Sequence, residues 1–535
     1  MSSTLTSLLS FDNIIHKSRL YNIWLKSRQT ETILHQIKDP WLGEAGLADA
    51  IFQGRYNFAG EEIHAPNTPL WEPSGIGPWW LAEMHGFSWL RHFKARDGNA
   101  ARQHARSLIV HWDKSGHYKW NQTSWKIDIL GRRISAWIAH ADMLQENADR
   151  QFIENFFKSL TAQARHLNYI IKKHDYTPEV FTGLRGLIIS GISLSGGRKR
   201  YMTAKKILIS ALNKQILPDG CHISKQPSVT LDILTDLIWI KNSLYENDEL
   251  PDLIDTHITK ISHAIRSLRM GDGTLTRTNG GRASSRDAID KILDKTGIKL
   301  RSRISTSLSI SGYERLAAGR SIIILNCTNN EKSIYKGTLS FEMSIGRDKL
   351  IVNCGPSPKN DLSWEKALSS TAAHSTLVIN DTNSASIKKN RIPKISVKRE
   401  ATAGHELIQA SHDGYKNIYS TTHKRSLKLD SRGIKVIGTD VLISGPKIQF
   451  KIHFHVHHKV NLRLTRNKER ILLLLPSEGW EFYILNSNTK LEIKTQPSIY
   501  IEDSGEKKNT SQFIISGETL NSRTKIEWCF SKTTL

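Results

Sequence analysis

The chain changes its hydrophobic period near the middle. Up to about residue 300, apolar side chains recur at helical spacing. Phe152, Phe156, Leu160, Ala164 and Leu167 fall on one face of a predicted helix. The run Leu184 to Leu194 is apolar nearly all round, as a buried helix is, and Gly196-Gly197 supplies its stop. Ile207 to Leu217 predicts another helix, ended by Pro218-Asp219-Gly220, and Leu231 to Leu244 a further one. No repeat of fixed length is visible, so a short-repeat solenoid is not supported. Past about residue 305 the period becomes two. Leu339, Phe341 and Met343 alternate with Ser340, Glu342 and Ser344, then Gly346-Arg347-Asp348 turns into a strand with Leu350 and Val352. Leu427 and Leu429, the Arg432-Gly433 turn, and Ile434 and Val436 repeat the theme. Phe450 to Val456, Leu462 with Leu464, and Leu472 to Leu475 continue it. Helices followed by strands predict an α+β multidomain chain: a helical domain over 1–300 and an antiparallel β-sandwich over 301–535. The boundary falls in the polar stretch from Arg282 to Ser311, which carries Lys291, Lys295, Lys299, Arg301 and Arg303.

Composition adds a charge to this outline. The 535 residues carry a net charge of +24. Such a field draws polyanions: nucleic acid, anionic lipid surfaces or acidic polysaccharides. An excess of Lys, Ile, Asn and Ser also arises from compositional drift, and the sequence leaves both origins open. No nucleic-acid motif is present, so no nucleic-acid partner is expected. The four cysteines, Cys221, Cys327, Cys354 and Cys529, show neither a CxxC pair nor metal spacing, and free thiols are expected. The opening MSSTLTSLLSFDNIIHKSR lacks a basic region followed by a sustained apolar run, which argues against a secretory signal and for the cytoplasm. No stretch approaches the ~18 apolar residues of a membrane span.

A set of phrases resembles the heparinase II/III-like family. In the second half they are Leu339-Ser340-Phe341-Glu342-Met343-Ser344, Val352-Asn353-Cys354-Gly355, Thr371-Ala372-Ala373-His374-Ser375-Thr376-Leu377 and Ser411-His412-Asp413-Gly414-Tyr415. Phe454-His455-Val456-His457 and Gly479-Trp480 extend the set. In the first half Trp112, Trp125-Lys126, Arg132-Arg133, Trp137, Pro218-Asp219-Gly220-Cys221-His222, Pro227-Ser228 and Gly271-Asp272-Gly273 agree with it. The ordered set runs from about residue 75 to 480 and looks most like a bacterial branch. The resemblance implies an incomplete α/α toroid followed by a β-sandwich, and a polysaccharide lyase acting on uronate-containing glycans. It also implies export to the periplasm or cell envelope, the alternative to a cytoplasmic location.

Eliminative cleavage removes the proton beside a uronate carboxylate and expels the 4-linked sugar. The carboxylate must be neutralised so that the developing enolate is stabilised. A Tyr or His must take the proton, and another group must protonate the leaving oxygen. Where the family places a Tyr-His pair after the Asp-Gly turn, this chain has Val229 and Thr230. Where it places histidines before Leu-Ser-Phe-Glu, this chain reads Ser333-Ile334-Tyr335-Lys336-Gly337-Thr338. Asn353 stands at the family's metal-binding Asp, and only His374 remains of that set, so no metal and no cofactor are expected. The substitute candidates for proton transfer are His222, Tyr313, Tyr335 and His374. Against each stands the bland reading, a satisfied turn, strand or packing residue.

For substrate binding, Arg132, Lys225 and Lys336 offer cations, and Trp80 and Trp125 offer aromatic faces for sugar rings. The neighbouring Trp79, Trp89, Trp112, Trp120 and Trp137 are expected to fill helix seams. His453, His455 and His457 share one strand face. A straight stripe does not converge on a metal ion, so a polar solvent face is expected. Gly271-Asp272-Gly273 and Gly280-Gly281 match no phosphate loop. Asp219 and Asp272 are the carboxylates that a glycoside hydrolase on this scaffold would need. The leading expectation is a polysaccharide lyase with an eroded site, using metal-independent β-elimination on an acidic polysaccharide or oligosaccharide. The alternative is a non-catalytic binding protein for acidic glycans on the same fold.

Overall fold

The computed structural model describes the chain except residues 1–18, 27–31, 67–70, 72, 116–122, 174–176, 245–249, 299–302, 330–332, 358–361, 387–391, 468 and 534–535. The opening segment read for a signal, Trp120, Lys299 and Arg301 lie outside the described residues. Two compact units emerge. One comprises Met1–Gln215 with Ile233–Ile258, and the other Ile216–Asp232 with Thr259–Leu535.

The first unit is helical. Its long helices include Gly98–Lys114, Ile127–Ala139, Arg150–Ile170, Val180–Ser193 and Arg198–Gln215. The Phe152 to Leu167 stripe lies within Arg150–Ile170. Asp149 caps that helix, its carboxylate accepting from the Phe152 N–H at 2.7 Å. Ile127–Ala139 and Val180–Ser193 meet through glycines. A Cβ on Gly131 would stand 2.1 Å from the Thr182 carbonyl oxygen, so only glycine permits this approach. An aromatic seam of Phe87, Trp112, Trp137 and Phe156 fills the space between helices. Arg133 is fully buried in it, donating to the Gln163 side chain and to the His85 and Ser124 carbonyls, with its guanidinium 4.3 Å over Trp112.

The second unit carries two antiparallel sheets. The first runs, edge to edge, from Asn461–Leu464 through Arg470–Leu474, Gly479–Ser487, Ser522–Lys532, Lys435–Ser444, Thr421–Asp430 and His405–Tyr415 to Ile395–Ala401. The second runs from Leu491–Ile501 through Lys507–Glu518, Gln449–Val456, Asp348–Val352, Phe341–Ile345, Ser321–Asn326 and Tyr313–Ala318 to Ser307–Leu308. Phe341, Phe454, Phe482, Phe513, Trp528 and Phe530 interlock in the shared core, with Phe454 stacked on Phe513 at 4.8 Å. The strands read from alternation are all present. Leu339 is the exception in detail: it sits at φ 55° in a turn, so its strand begins at Phe341. The polar stretch before the strands holds the helix Arg286–Lys295.

One polar network pierces this core. Asp440 accepts from Arg425, His423 and Trp528 with none of the four side chains exposed. Burial alone would raise the Asp440 pKa, but Arg425 and His423 hold it well below the usual carboxylate range. Gly414 N–H donates to His412 Nδ1, so His412 Nε2 donates to His423 Nδ1 and His423 Nε2 to Asp440. The remaining Arg425 N–H groups reach the carbonyls of Leu339 and Ser375, fixing the loops that carry Tyr335 and His374.

Candidate functional site

The segment Ile216–Asp232 turns at Gly220 (φ 91°), and its Lys225 carbonyl becomes a hub. The Tyr313 hydroxyl donates to that carbonyl and accepts from Thr278 Oγ1 and Asn279 Nδ2, each at 3.0 Å. Asn279 Nδ2 also donates to the Lys225 carbonyl at 2.7 Å. Asn279 sits at φ 55°, a backbone region that Asn tolerates better than most residues. Tyr313 is buried, and burial pushes its proton affinity far above that of an ordinary phenol; the bonds from Thr278 and Asn279 offset only part of this. A phenol so held does not become a phenolate base near neutral pH. His222 is buried in the same turn, its Nδ1 2.8 Å from Ser224 Oγ. Lys225 sends its ammonium to the Asn329 side chain at 2.5 Å. Thr230, at one of the positions of the lost Tyr-His pair, bonds to the His222 N–H.

Tyr335 and His374 form a neighbouring group. A Cβ on Gly280 would fall 2.1 Å from the Tyr335 ring, so the bare glycine seats that ring. Tyr335 meets His374 edge to face, with ring centroids 6.3 Å apart. It is half-buried in a loop, not a surface strand residue. Burial raises its pKa, a backbone bond at Ser357 offsets part of that rise, and Glu365 adds a smaller one. Buried His374 donates Nδ1–H to the Ser370 carbonyl at 2.8 Å, which leaves the Nε2 lone pair. Burial lowers its pKa to about 4, so the ring is neutral near pH 7. Lys336 does not pair with Tyr335; its amine turns back to the Ile334 carbonyl. Asn279, Tyr335 and Lys336 line one cavity of about 20 Å³. That holds about one water, far below the ~300 Å³ of a small-molecule pocket.

The structure corrects several expectations. Trp80 has no exposed surface and donates its indole N–H to the Tyr56 carbonyl. Trp125 is buried against Arg133 and His166. Neither ring has a free face for a sugar; both belong to the helical unit's core. Arg132, also in that unit, pairs with Glu83 at 2.6 Å. His453, His455 and His457 are buried rather than solvent-facing. His453 meets Gln512, and His455 meets Ser498 and the Ala372 carbonyl. Asp219 is occupied by Ser311, and Asp272 by Thr274 and Lys349, so both carboxylates have structural partners.

The metal that the resemblance brings to mind does not fit these residues. His374 offers a single ligand atom, Nε2, and Asn353 bonds through its amide to Glu342 and Ser375. Among the described residues, no group of three or more His, Cys, Asp or Glu side chains is placed to hold a metal ion. Sequence reasoning missed Asn279 and Thr278, which complete the Tyr313 hub. The Asn279-Gly280 pair, which favours left-handed backbone, was the available signal. It also missed Arg277, Lys349 and Tyr500. These line a separate cleft of about 520 Å³ in the second unit.

Comparison with known proteins places these features. Residues 301–529 match the family described as Heparinase II/III-like, C-terminal. A curated relative, "FtsZ-localized protein C" of Caulobacter vibrioides, is 25% identical over 484 residues, covering 84% of this chain and 81% of its own. Among solved structures, "Crystal Structure of Heparinase III" superposes with a TM-score of 0.76 at 14% identity, covering 96% of this chain and 89% of that one. A mutant of the heparan sulfate lyase HepC from Pedobacter heparinus gives 0.66 at 13% identity, with 96% and 87% covered. At such identities the structural likeness establishes the fold: an α/α toroid with an antiparallel sandwich.

Proposed function

The chain is a heparinase II/III-like protein, and from that premise we propose that it binds an acidic, uronate-containing glycan without cleaving it by the family's usual chemistry. The observation that carries this reading is the state of Tyr313. Its hydroxyl is buried, donates to a backbone carbonyl and accepts twice, so it has no capacity left to take a substrate proton. Val229 offers no base, and Thr230 is bound into the His222 turn. The net charge of +24 supports the grip on an acidic polymer. Surface plasmon resonance of the full chain over immobilised heparan sulfate and alginate tests it. Binding that weakens about tenfold or more as salt is raised is expected, since screening removes long-range attraction. No binding to either polymer at low salt would overturn it.

A second reading is β-elimination moved onto Tyr335 and His374, with Lys336 neutralising the carboxylate. The His374 Nε2 lone pair beside the Tyr335 ring favours it. For the place of action, the likeness to a protein named for its localisation with FtsZ supports a location with FtsZ for this chain too. No helix among the described residues is long and apolar enough to cross a membrane. We take the cytoplasm as its compartment.

A further inference from the structure

The 520 Å³ cleft lies wholly within the second unit and takes no part in the Tyr313 hub or the Tyr335–His374 pair. Four segments and Pro476 build its walls: the loop from Asp272 to Ser285, the turn Arg347 to Lys349, the strand end His457 to Lys459, and the stretch from Tyr500 to Ser504. Its size is that of a small-ligand pocket, which runs from ~300 to ~1,000 Å³.

Several of its charges are paired, and Arg347, Asp348 and Lys459 add both signs to the lining. Arg277, its side chain 2% exposed, meets Asp503 at 2.6 Å and lies 4.7 Å over the Tyr500 ring. Lys349 stands 3.3 Å from Asp272. His458 Nε2 stands 3.8 Å from Glu502, a contact that becomes an ion pair only when the ring is protonated in acid. Asp503 also accepts from the Ala283 and Ser284 N–H groups, so the backbone site just before the helix Arg286–Lys295 is already filled by a carboxylate of the chain itself. An incoming anion would meet Asp272, Glu502 and Asp503 together with the cations, and would have to displace an internal partner to gain one.

A hydroxyl meets no such conflict, because it both donates and accepts. The cleft offers both halves of that exchange. Asp272 and Glu502 are acceptors that retain solvent exposure, 23% and 35%. Lys349 and Arg277 are donors. Tyr500 lines the cleft with a hydroxyl that bonds to no described residue, and His458 Nδ1 is buried with no partner. Buried polar groups are usually satisfied, so the unfilled Nδ1 at this wall calls for an occupant. Tyr500 itself is held rigidly, with His457 edge-on at 4.8 Å and His458 at 5.4 Å. Burial lowers the pKa of both imidazoles, at His457 to about 2 with help from His458 and Lys349 and at His458 against a partial offset from Glu502, so the two rings add no charge near neutral pH.

We infer that this cleft is a saccharide site that recognises adjacent hydroxyls of a neutral sugar, with Asp272 and Lys349 bracketing one hydroxyl and Tyr500 meeting the next. The inference stands apart from the acidic-glycan reading, since it requires no uronate. It is tested by saturation-transfer NMR of the full chain with cellobiose, chitobiose and maltose as probes. At least one of these neutral disaccharides should show transfer. Asp272→Asn and Tyr500→Phe should each weaken that sugar's affinity about tenfold, equivalent to ~1.4 kcal/mol. Lys447→Met, at an exposed pair with Glu518, should leave it unchanged. Circular-dichroism melting confirms that each variant is folded, and Tyr500→Phe carries the test alone should Asp272→Asn unfold. Transfer to none of the three sugars would overturn the inference, as would affinity that persists in Tyr500→Phe. Transfer from a sulfated heparin disaccharide alone would overturn it in favour of an anion site.

Discussion

Arg277 and Asn279 stand two residues apart on one loop, yet they serve opposite kinds of place. Asn279 closes a hub in which every polar group of Tyr313 is satisfied and the remaining space is about 20 Å³. Arg277 lines a cleft of about 520 Å³ where a phenol hydroxyl and an imidazole nitrogen lack partners. A buried carboxylate anchors the start of this loop. Glu342 accepts from the Thr276 hydroxyl and the Arg277 N–H at 2.9 and 3.1 Å, and from Asn353. The contrast teaches that a tyrosine among polar neighbours is no sign of catalysis by itself. What matters is whether its hydrogen-bonding capacity is already used.

The largest expected effect comes from acid. His374 belongs to the sealed side and is neutral when folded, with its pKa lowered from 6.5 to about 4. The unfolded chain takes up that proton first, so this contribution to stability is complete above pH 6.5 and drains away as pH falls toward 4. The loss is on the order of 3 kcal/mol from this residue. Urea unfolding across that window should show it, and His374→Gln should flatten the slope; an unchanged slope would show that the ring is not sealed. Next, Asn279→Ala should cost about 2–3 kcal/mol, because the Tyr313 hydroxyl and the Lys225 carbonyl lose a buried donor. Thermal unfolding reads this directly. The smallest effect belongs to the open cleft. Tyr500→Phe removes a hydroxyl that bonds to no described residue and should change stability by less than ~0.5 kcal/mol. A loss as large as that of Asn279→Ala would mean that the two regions are alike.

Much of the fold was legible because burial imposes a period. The alternation at Leu427 and Leu429 and the Arg432-Gly433 turn correspond to strands Thr421–Asp430 and Lys435–Ser444. The apolar run from Leu184 lies in the helix Val180–Ser193, all of it buried. The histidine stripe misled for a physical reason. Period two tells which residues share a face, not what covers that face, and Gln512, Ser498 and the Ala372 carbonyl cover this one. Trp80 and Trp125 misled similarly, since an indole is equally a sugar platform and a core filler until its surroundings are known. The candidate site was half visible. His222, Lys225 and Tyr313 do meet in one turn, but Asn279, far from them in sequence, decides what Tyr313 can do. Arg277, Lys349 and Tyr500 come from three distant segments, and no local spacing joins them.

The central claim is that this scaffold keeps its grip and has lost the family's proton transfer. Its most direct test follows the ultraviolet absorbance of unsaturated uronate while the purified full chain is held with heparan sulfate, alginate and polysaccharide from its own source. The account predicts a flat trace on polymers that the chain nonetheless binds. A rising trace, abolished in Tyr335→Phe or His374→Gln but not in Tyr313→Phe, would contradict it and place working lyase chemistry on the substitute pair.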